Sequence, residues 1–238
     1  MCGIAGLSLV TKNKSLVKRF LNIKKSLFHR GPDGSGFYKK KNTSLIHTRL
    51  SIVDLKQGYQ PIKNKNLILI ANGEIYNDLK IRKKYSNYKF ITKSDSESIL
   101  AVYKTKGIDG FKELRGMYAF AIYDEEKDEI IISRDEFGIK PLYFAQFNQG
   151  LIFCSELNSL RNAMPFKSSL NNQKVVEQLQ YQYCTGNKTI FKGLNRLRPG
   201  ETLIIQNGKI KESRFRKLDV KRNVSIDESF FKRKIIET

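Results

Sequence analysis

The alternation of apolar and polar positions divides the chain into short runs with two different periods. Residues 3–10 form an apolar, strand-like run. Over 15–28 the rhythm changes: Leu16, Phe20, Ile23 and Leu27 recur at helical spacing with lysines and Arg19 between them, which predicts one amphipathic helix packed on the body. Strand-like runs return at 45–53 and 67–71, and the second ends in Asn72-Gly73-Glu74-Ile75-Tyr76-Asn77. Asn-Gly favours a tight hairpin, yet Leu79, Ile81 and Tyr85 among polar residues fit a short helix, so a strand-to-helix junction is expected there. Ser94-Asp95-Ser96-Glu97 has the spacing of a capping box ahead of Ile99, Leu100, Val102 and Tyr103, and predicts a helix start. A short helix is expected over 109–114, strands over 117–124, 129–135, 141–146, 151–155 and 202–206, and a helix over 172–183. Asn207-Gly208 closes the last strand. Many antiparallel-looking strands with helices at the margins argue for an α+β fold with two sheets rather than alternating βαβ units. Residues 225–238 read as a lone amphipathic helix behind a polar linker.

Composition adds limits to this outline. With 238 residues, 40% hydrophobic and 11% aromatic, the chain is long and apolar enough for a large core. Its net charge of +21 raises a second reading, a basic non-catalytic module that binds nucleic acid. The lysines are scattered, however, as in Lys39-Lys40-Lys41, Lys83-Lys84 and Lys232-Arg233-Lys234, and no long basic tract forms, so most of the excess reads as solvated surface. Cys2, Cys154 and Cys184 are an odd set without framework spacing, which suits a reducing compartment. The apolar opening lacks a basic flank and runs into Thr11-Lys12-Asn13-Lys14, so neither a leader nor a membrane span is expected. A cytoplasmic location follows as the expectation.

Several polar residues sit where chemistry is plausible. If Met1 is removed, Cys2 carries both a nucleophilic sulfur and, a few bonds away, an α-amine of pKa near ~8 that can take a proton at neutral pH. The plainer reading is a small hydrophobe opening an edge strand. The segment 29–36, with Gly31, Pro32, Gly34 and Gly36, is either simple chain reversal or a loop that supports the Cys2 pocket with Arg30 and Asp33 as polar struts. Arg49 places a fixed cation inside an apolar run, where it needs an anion unless it reaches water at a sheet edge. A bidentate grip on an amino-acid carboxylate is a natural use of it. The Asn72 amide and a neighbouring backbone N–H could form an oxyanion hole, with Glu74 accepting from a substrate amine or amide. Asp95 is either a carboxylate at a helix start or a partner for an ammonium group. Neither His29 nor His47 is given a catalytic role, and Cys154 and Cys184 are expected to be packing residues.

Seven segments stand in an order that resembles the class II glutamine amidotransferases: 1–6, 29–36, 49–54, 72–77, 94–97, 116–124 and 134–143. Asn-Gly-Glu-Ile-Tyr-Asn and Arg-Gly-Pro-Asp are most similar to the amino-terminal half of glutamine-hydrolysing asparagine synthetases. The resemblance implies a four-layer αββα N-terminal-nucleophile hydrolase sandwich with two antiparallel sheets. It makes Cys2 the nucleophile and its freed amine the base, and assigns the oxyanion to Asn72 and Gly73. L-Glutamine would be held by Arg49, Glu74 and Asp95, with Leu50, Ser51, Ile52 and Val53 lining the pocket. No metal or organic cofactor is implied for this half. Residues 2–215 would form the glutaminase domain, and 216–238 a linker with the first helix of a synthetase domain absent from this chain. That second domain, or a partner subunit, would use ATP and magnesium through a Ser-Gly-Gly-x-Asp-Ser loop, which does not occur in these residues. Aspartate is the default ammonia acceptor by resemblance, and a sugar carboxylate in polysaccharide biosynthesis is the alternative. A homodimer is left open. Asn158 departs from the lysine more common in the family, at a position tied to contact with the second domain.

Overall fold

Both faces of strand β1 (Gly3–Leu9) are buried, and the fold follows from what covers each. The computed structural model describes residues 1–52, 54, 58–216 and 228–237. The remaining strands are β2 (Gly34–Lys40), β3 (Thr43–Arg49), β4 (Ile62–Asn64), β5 (Leu67–Ile75), β6 (Gly116–Asp124), β7 (Glu129–Arg134), β8 (Tyr143–Phe147), β9 (Gly150–Cys154), β10 (Asn195–Arg196), β11 (Glu201–Gln206) and β12 (Lys209–Phe215). They form two six-stranded sheets, ordered β10-β8-β9-β1-β3-β2 and β12-β11-β7-β6-β5-β4. Neighbouring strands pair antiparallel throughout. The helices are α1 (Lys14–Leu21), α2 (Ile23–Ser26), α3 (Asp78–Lys84), α4 (Glu97–Lys106), α5 (Leu157–Ala163), α6 (Asn172–Tyr181) and α7 (Glu228–Ile236).

Period-2 alternation sorts the apolar residues into three layers. Ile4, Leu45 and Phe153 of the first sheet meet Ile68, Ile70, Ala119, Ala121 and Ile132 of the second, so these positions form the core between the sheets. Their neighbours in sequence point the other way. Ala5, Leu7 and Ile46 pack under Leu16 and Phe20 of α1, Ile23 of α2 and Leu160 of α5, while Leu69, Phe120 and Ile122 pack under α3 and α4. The result is an αββα sandwich of four layers. Strands covered on both faces read as continuous apolar runs, which is why 67–71 shows no alternation. Burying a side chain such as Phe20, fully inaccessible in the helix-to-sheet core, contributes about 1.5–3 kcal/mol.

Several local expectations are corrected. The helix expected over 15–28 breaks at Asn22 into α1 and α2, followed by a single 3-10 turn at Phe28–Arg30. The Asn22 N–H bonds back three residues to the Arg19 carbonyl, tightening the turn there. The chain does not leave the sheet at Asn72: β5 continues to Ile75 because β6 pairs with it throughout, Asn72 opposite Ala119 and Ile75 opposite Gly116. No capping box forms at Ser94. The Glu97 carboxylate is fully buried and accepts instead from the N–H groups of Ile91 and Thr92 and from the Thr92 hydroxyl. The strand expected over 45–53 stops at Arg49, and Gly34 and Gly36 open β2 rather than close a loop. β12 returns after Asn207-Gly208, both with positive φ, as the hairpin turn requires. α7 buries none of its side chains against the body. Of the linker and helix expected over 216–238, only residue 216 and α7 with Glu237 are among the described residues.

Candidate active site

The alternation that builds the inter-sheet core also carries polar residues to its open rim. Cys2 lies two positions before Ile4, Asn72 two after Ile70, and His47 and Arg49 two and four after Leu45, so all share the facing layer. There Cys2, His47, Arg49, Leu50, Ile52, Gln60, Asn72, Gly73, Glu74 and Asp95 line one cavity, joined by Met117 and Lys140. Residues separated by more than ninety positions are thus brought to one place by strand register.

Cys2 precedes the β1 ladder and is partly exposed, unlike Cys154 and Cys184, which are buried. Its sulfur lies 3.4 Å from the Leu50 N–H nitrogen and 3.6 Å from the Leu50 carbonyl oxygen. The Cys2 carbonyl accepts from Arg30 Nε at 3.0 Å. Asp33 receives the Ser51 N–H at 2.7 Å and holds the segment after β3 beside the thiol. Arg30 and Asp33, the polar struts expected in the 29–36 segment, thus hold residues beside the cavity. By contrast, burial pushes the Cys154 thiol up to about 12, so this second cysteine is an inert packing residue.

The free edge of β5 supplies backbone donors. The Ala71 N–H donates to Gln60 Oε1 at 2.5 Å and the Ile75 N–H to Asp95 Oδ2 at 2.6 Å, both away from β6. Strand alternation turns the Gly73 N–H to the same edge, midway between them and into the cavity. A side chain at 73 is excluded, since a Cβ would stand 2.3 Å from the Met117 carbonyl oxygen and 2.6 Å from the Tyr118 Cα. Beside it, Asn72 is almost wholly buried and its Nδ2 has no hydrogen-bond partner in the protein. A buried amide donor is costly to leave unpaired. One that lines a cavity beside a thiol is a ready donor to developing negative charge.

Charge around the cavity is mixed. Arg49, 4% exposed, donates through Nη2 to the Asp54 carbonyl at 2.6 Å, and its guanidinium stacks 4.7 Å from the centre of the Tyr59 ring. Burial raises the Asp95 carboxyl above its ordinary value, partly offset by the N–H groups of Ile75 and Ser96 and reinforced by the nearby charges of Asp78 and Glu74. Glu74 itself is exposed at the mouth. His47 is 1% exposed and burial pushes its imidazole down to about 4, with the Arg49 charge acting in the same direction, so the ring is neutral at pH 7.

Of the residues expected from sequence, Cys2, Arg49, Leu50, Ile52, Asn72, Gly73, Glu74 and Asp95 come together around this cavity. Ser51 is fixed alongside through Asp33, and Val53 lies outside the described residues. Sequence reasoning missed Gln60, His47, Met117 and Lys140. His47 and Met117 carry a usable signal, being in step with the core positions Leu45 and Ala119 on the same strands. Gln60 and Lys140 arrive on irregular segments and have none. Among the described residues, no group of His, Cys, Asp and Glu is arranged to hold a metal ion, and no helix is long and apolar enough to cross a membrane.

Residues 1–216 match the family model described as a glutamine amidotransferase domain. The chain is 45% identical over 165 residues to asparagine synthetase B of Escherichia coli, covering 67% of this chain and 30% of that protein. It is 31% identical over 216 residues to asparagine synthetase 1 of Bacillus subtilis, covering 87% and 34%. The chain thus spans about a third of these relatives. Among solved structures, the glutamine phosphoribosylpyrophosphate amidotransferase of B. subtilis superposes with a TM-score of 0.64 at 21% identity, over 93% of this chain and 50% of that one, a likeness of fold. By the match of residues 1–216 to its family model, this chain belongs to the glutamine amidotransferase domain family.

Proposed function

We propose that this domain hydrolyses the side-chain amide of glutamine to glutamate and ammonia, with Cys2 as nucleophile. The observation that carries the reading is the meeting of the Cys2 thiol with the unpartnered Asn72 amide and the Gly73 N–H in one cavity. Removal of Met1 frees the Cys2 amine, which takes the thiol proton as sulfur attacks the amide carbon. The tetrahedral oxyanion accepts from Asn72 Nδ2 and the Gly73 N–H. Collapse expels ammonia, protonated by the same amine, and leaves a thioester on Cys2. Water then cleaves the thioester to glutamate and restores the thiol. Arg49 grips the α-carboxylate, Asp95 and Glu74 meet the ammonium group, and the segment 50–53 lines the side of the pocket.

Relatives named asparagine synthetase motivate the wider reading. Residues 2–215 act as the glutaminase unit of a cytoplasmic enzyme, 216–238 lead into a synthetase domain or subunit, and the ammonia is passed there to aspartate. ATP and magnesium belong to that unit, and no step described above uses them. The test is release of glutamate and ammonia from glutamine by protein whose mass confirms loss of Met1. Wild-type turnover with covalent labelling of Cys2 by diazo-oxo-norleucine, and none in Cys2→Ala, is the expected result. Turnover that survives Cys2→Ala overturns the reading.

A further inference from the structure

Two adjacent residues just past the end of β9 hold the beginning of the chain. Ser155 exchanges two hydrogen bonds with Ile4: its N–H donates to the Ile4 carbonyl at 2.9 Å, and its hydroxyl accepts the Ile4 N–H at 2.9 Å. Glu156 acts one residue further out and through an intermediary. Its Oε1 accepts from Arg30 Nη1 at 3.1 Å and lies 2.7 Å from His29 Nε2, while Arg30 Nε donates to the Cys2 carbonyl at 3.0 Å. The Arg30 side chain is 9% exposed and that of Glu156 25%, so the guanidinium is largely out of water and Glu156 is its counter-ion.

The position of Cys2 is a problem the β ladder does not solve. Pairing of β1 with β9 begins at Ala5 and with β3 at Gly3, and nothing precedes Cys2 once Met1 is removed. Among the described residues, two hydrogen-bonding contacts remain to place this residue: the Leu50 backbone at its sulfur, and Arg30 at its carbonyl. The first holds Sγ, and the second, together with the pairing of Gly3 opposite Thr48, holds the plane of the Cys2–Gly3 peptide. Together they decide where the terminal amine lies relative to the thiol it must deprotonate.

We infer that Glu156 is a positioning residue for glutamine hydrolysis: by holding Arg30 it fixes the Cys2 peptide plane and so keeps the terminal amine within reach of its own thiol. The inference rests on the glutaminase reading above. Glu156 is hydrogen-bonded to His29 and Arg30 and not to Cys2, Arg49 or Asp95, so its effect falls on the chemical step rather than on substrate binding. Displacement of a reacting group by about 1 Å costs on the order of 10²-fold.

The experiment compares Met1-processed wild type with Glu156→Gln, Glu156→Asp, Arg30→Met and the double variant Glu156→Gln/Arg30→Met. The expected result is a kcat lowered roughly 10- to 100-fold in Glu156→Gln with KM and the unfolding midpoint held. Glu156→Asp, which keeps the charge, recovers part of the loss, and the double variant is no worse than Arg30→Met because both act through one contact. Alkylation of Cys2 by iodoacetamide, mapped by mass spectrometry, slows in parallel; Cys154 and Cys184 are buried and do not compete. Wild-type kcat and alkylation in Glu156→Gln, losses that add in the double variant, or a loss carried by KM would overturn the inference. If wild type releases no ammonia from glutamine, the glutaminase reading fails, and the alkylation rates still decide whether Glu156 positions Cys2.

Discussion

Asn72→Ala should separate catalysis from stability at this site. The residue is 1% exposed, yet its Nδ2 makes no hydrogen bond within the protein. Removing it should therefore cost the fold little: relief of an unsatisfied donor, about 1–3 kcal/mol, offsets most of the loss from the small cavity that alanine leaves. Catalysis is affected differently. On the proposed mechanism one of two donors to the oxyanion disappears, which should lower kcat about 10²- to 10³-fold, equivalent to about 2.7–4 kcal/mol of transition-state stabilisation. KM for glutamine should hold, because the ground-state carbonyl draws far less on that donor than the charged intermediate does. The assay is steady-state glutamate formation by Met1-processed protein, alongside urea unfolding of the same preparation. The refuting outcome is kcat near that of wild type, or a loss of activity that simply tracks a loss of folded protein.

Three further outcomes follow from the same geometry. The Asp95 carboxyl is raised by burial above its ordinary value, so KM should climb as pH falls through that raised value while kcat changes less, and Asp95→Asn should show a high KM without this limb. The sign for stability is opposite: a raised folded-state pKa favours folding below the ordinary value of 3.8 and the benefit is lost as pH rises through the raised one, so Asp95→Asn should melt no lower than wild type at pH 7. Gly73→Ala should lose both fold and activity, visible as a lowered unfolding midpoint, because its Cβ would meet the β6 backbone at 2.3 and 2.6 Å and neither atom can swing aside. Arg49→Lys should raise KM for glutamine about tenfold or more with the fold intact, since an ammonium replaces the fork that donates to the Asp54 carbonyl and, on the proposed reading, to the substrate carboxylate; an unchanged KM would remove Arg49 from substrate binding.

Much of the architecture was legible because strand and helix periods are local properties. The run at 67–71 announced a strand covered on both faces, and Leu16, Phe20, Ile23 and Leu27 announced a helix on the body, even though the chain tightens at Asn22 and splits it. Where local pattern failed, a distant partner had intervened. Asn-Gly at 72–73 would suit a turn, but β6 pairs across it and carries the strand on to Ile75. Ser94 to Glu97 had the spacing of a capping box, yet the Glu97 carboxylate is drawn to the backbone of Ile91 and Thr92.

The candidate site divides along the same line. From its sequence alone this protein declares a thiol at the second position, a cation within an apolar strand, an amide beside a glycine, and their order along the chain. Only the tertiary structure determined that Cys2, Arg49 and Asn72 share the layer between two sheets, that the Gly73 N–H is the remaining inward donor between Ala71 and Ile75, and that Glu156 reaches the first residues through Arg30. The reason is that side-chain direction alternates within a strand and can be read locally, whereas the register that sets one strand beside another depends on contacts between residues far apart in the chain.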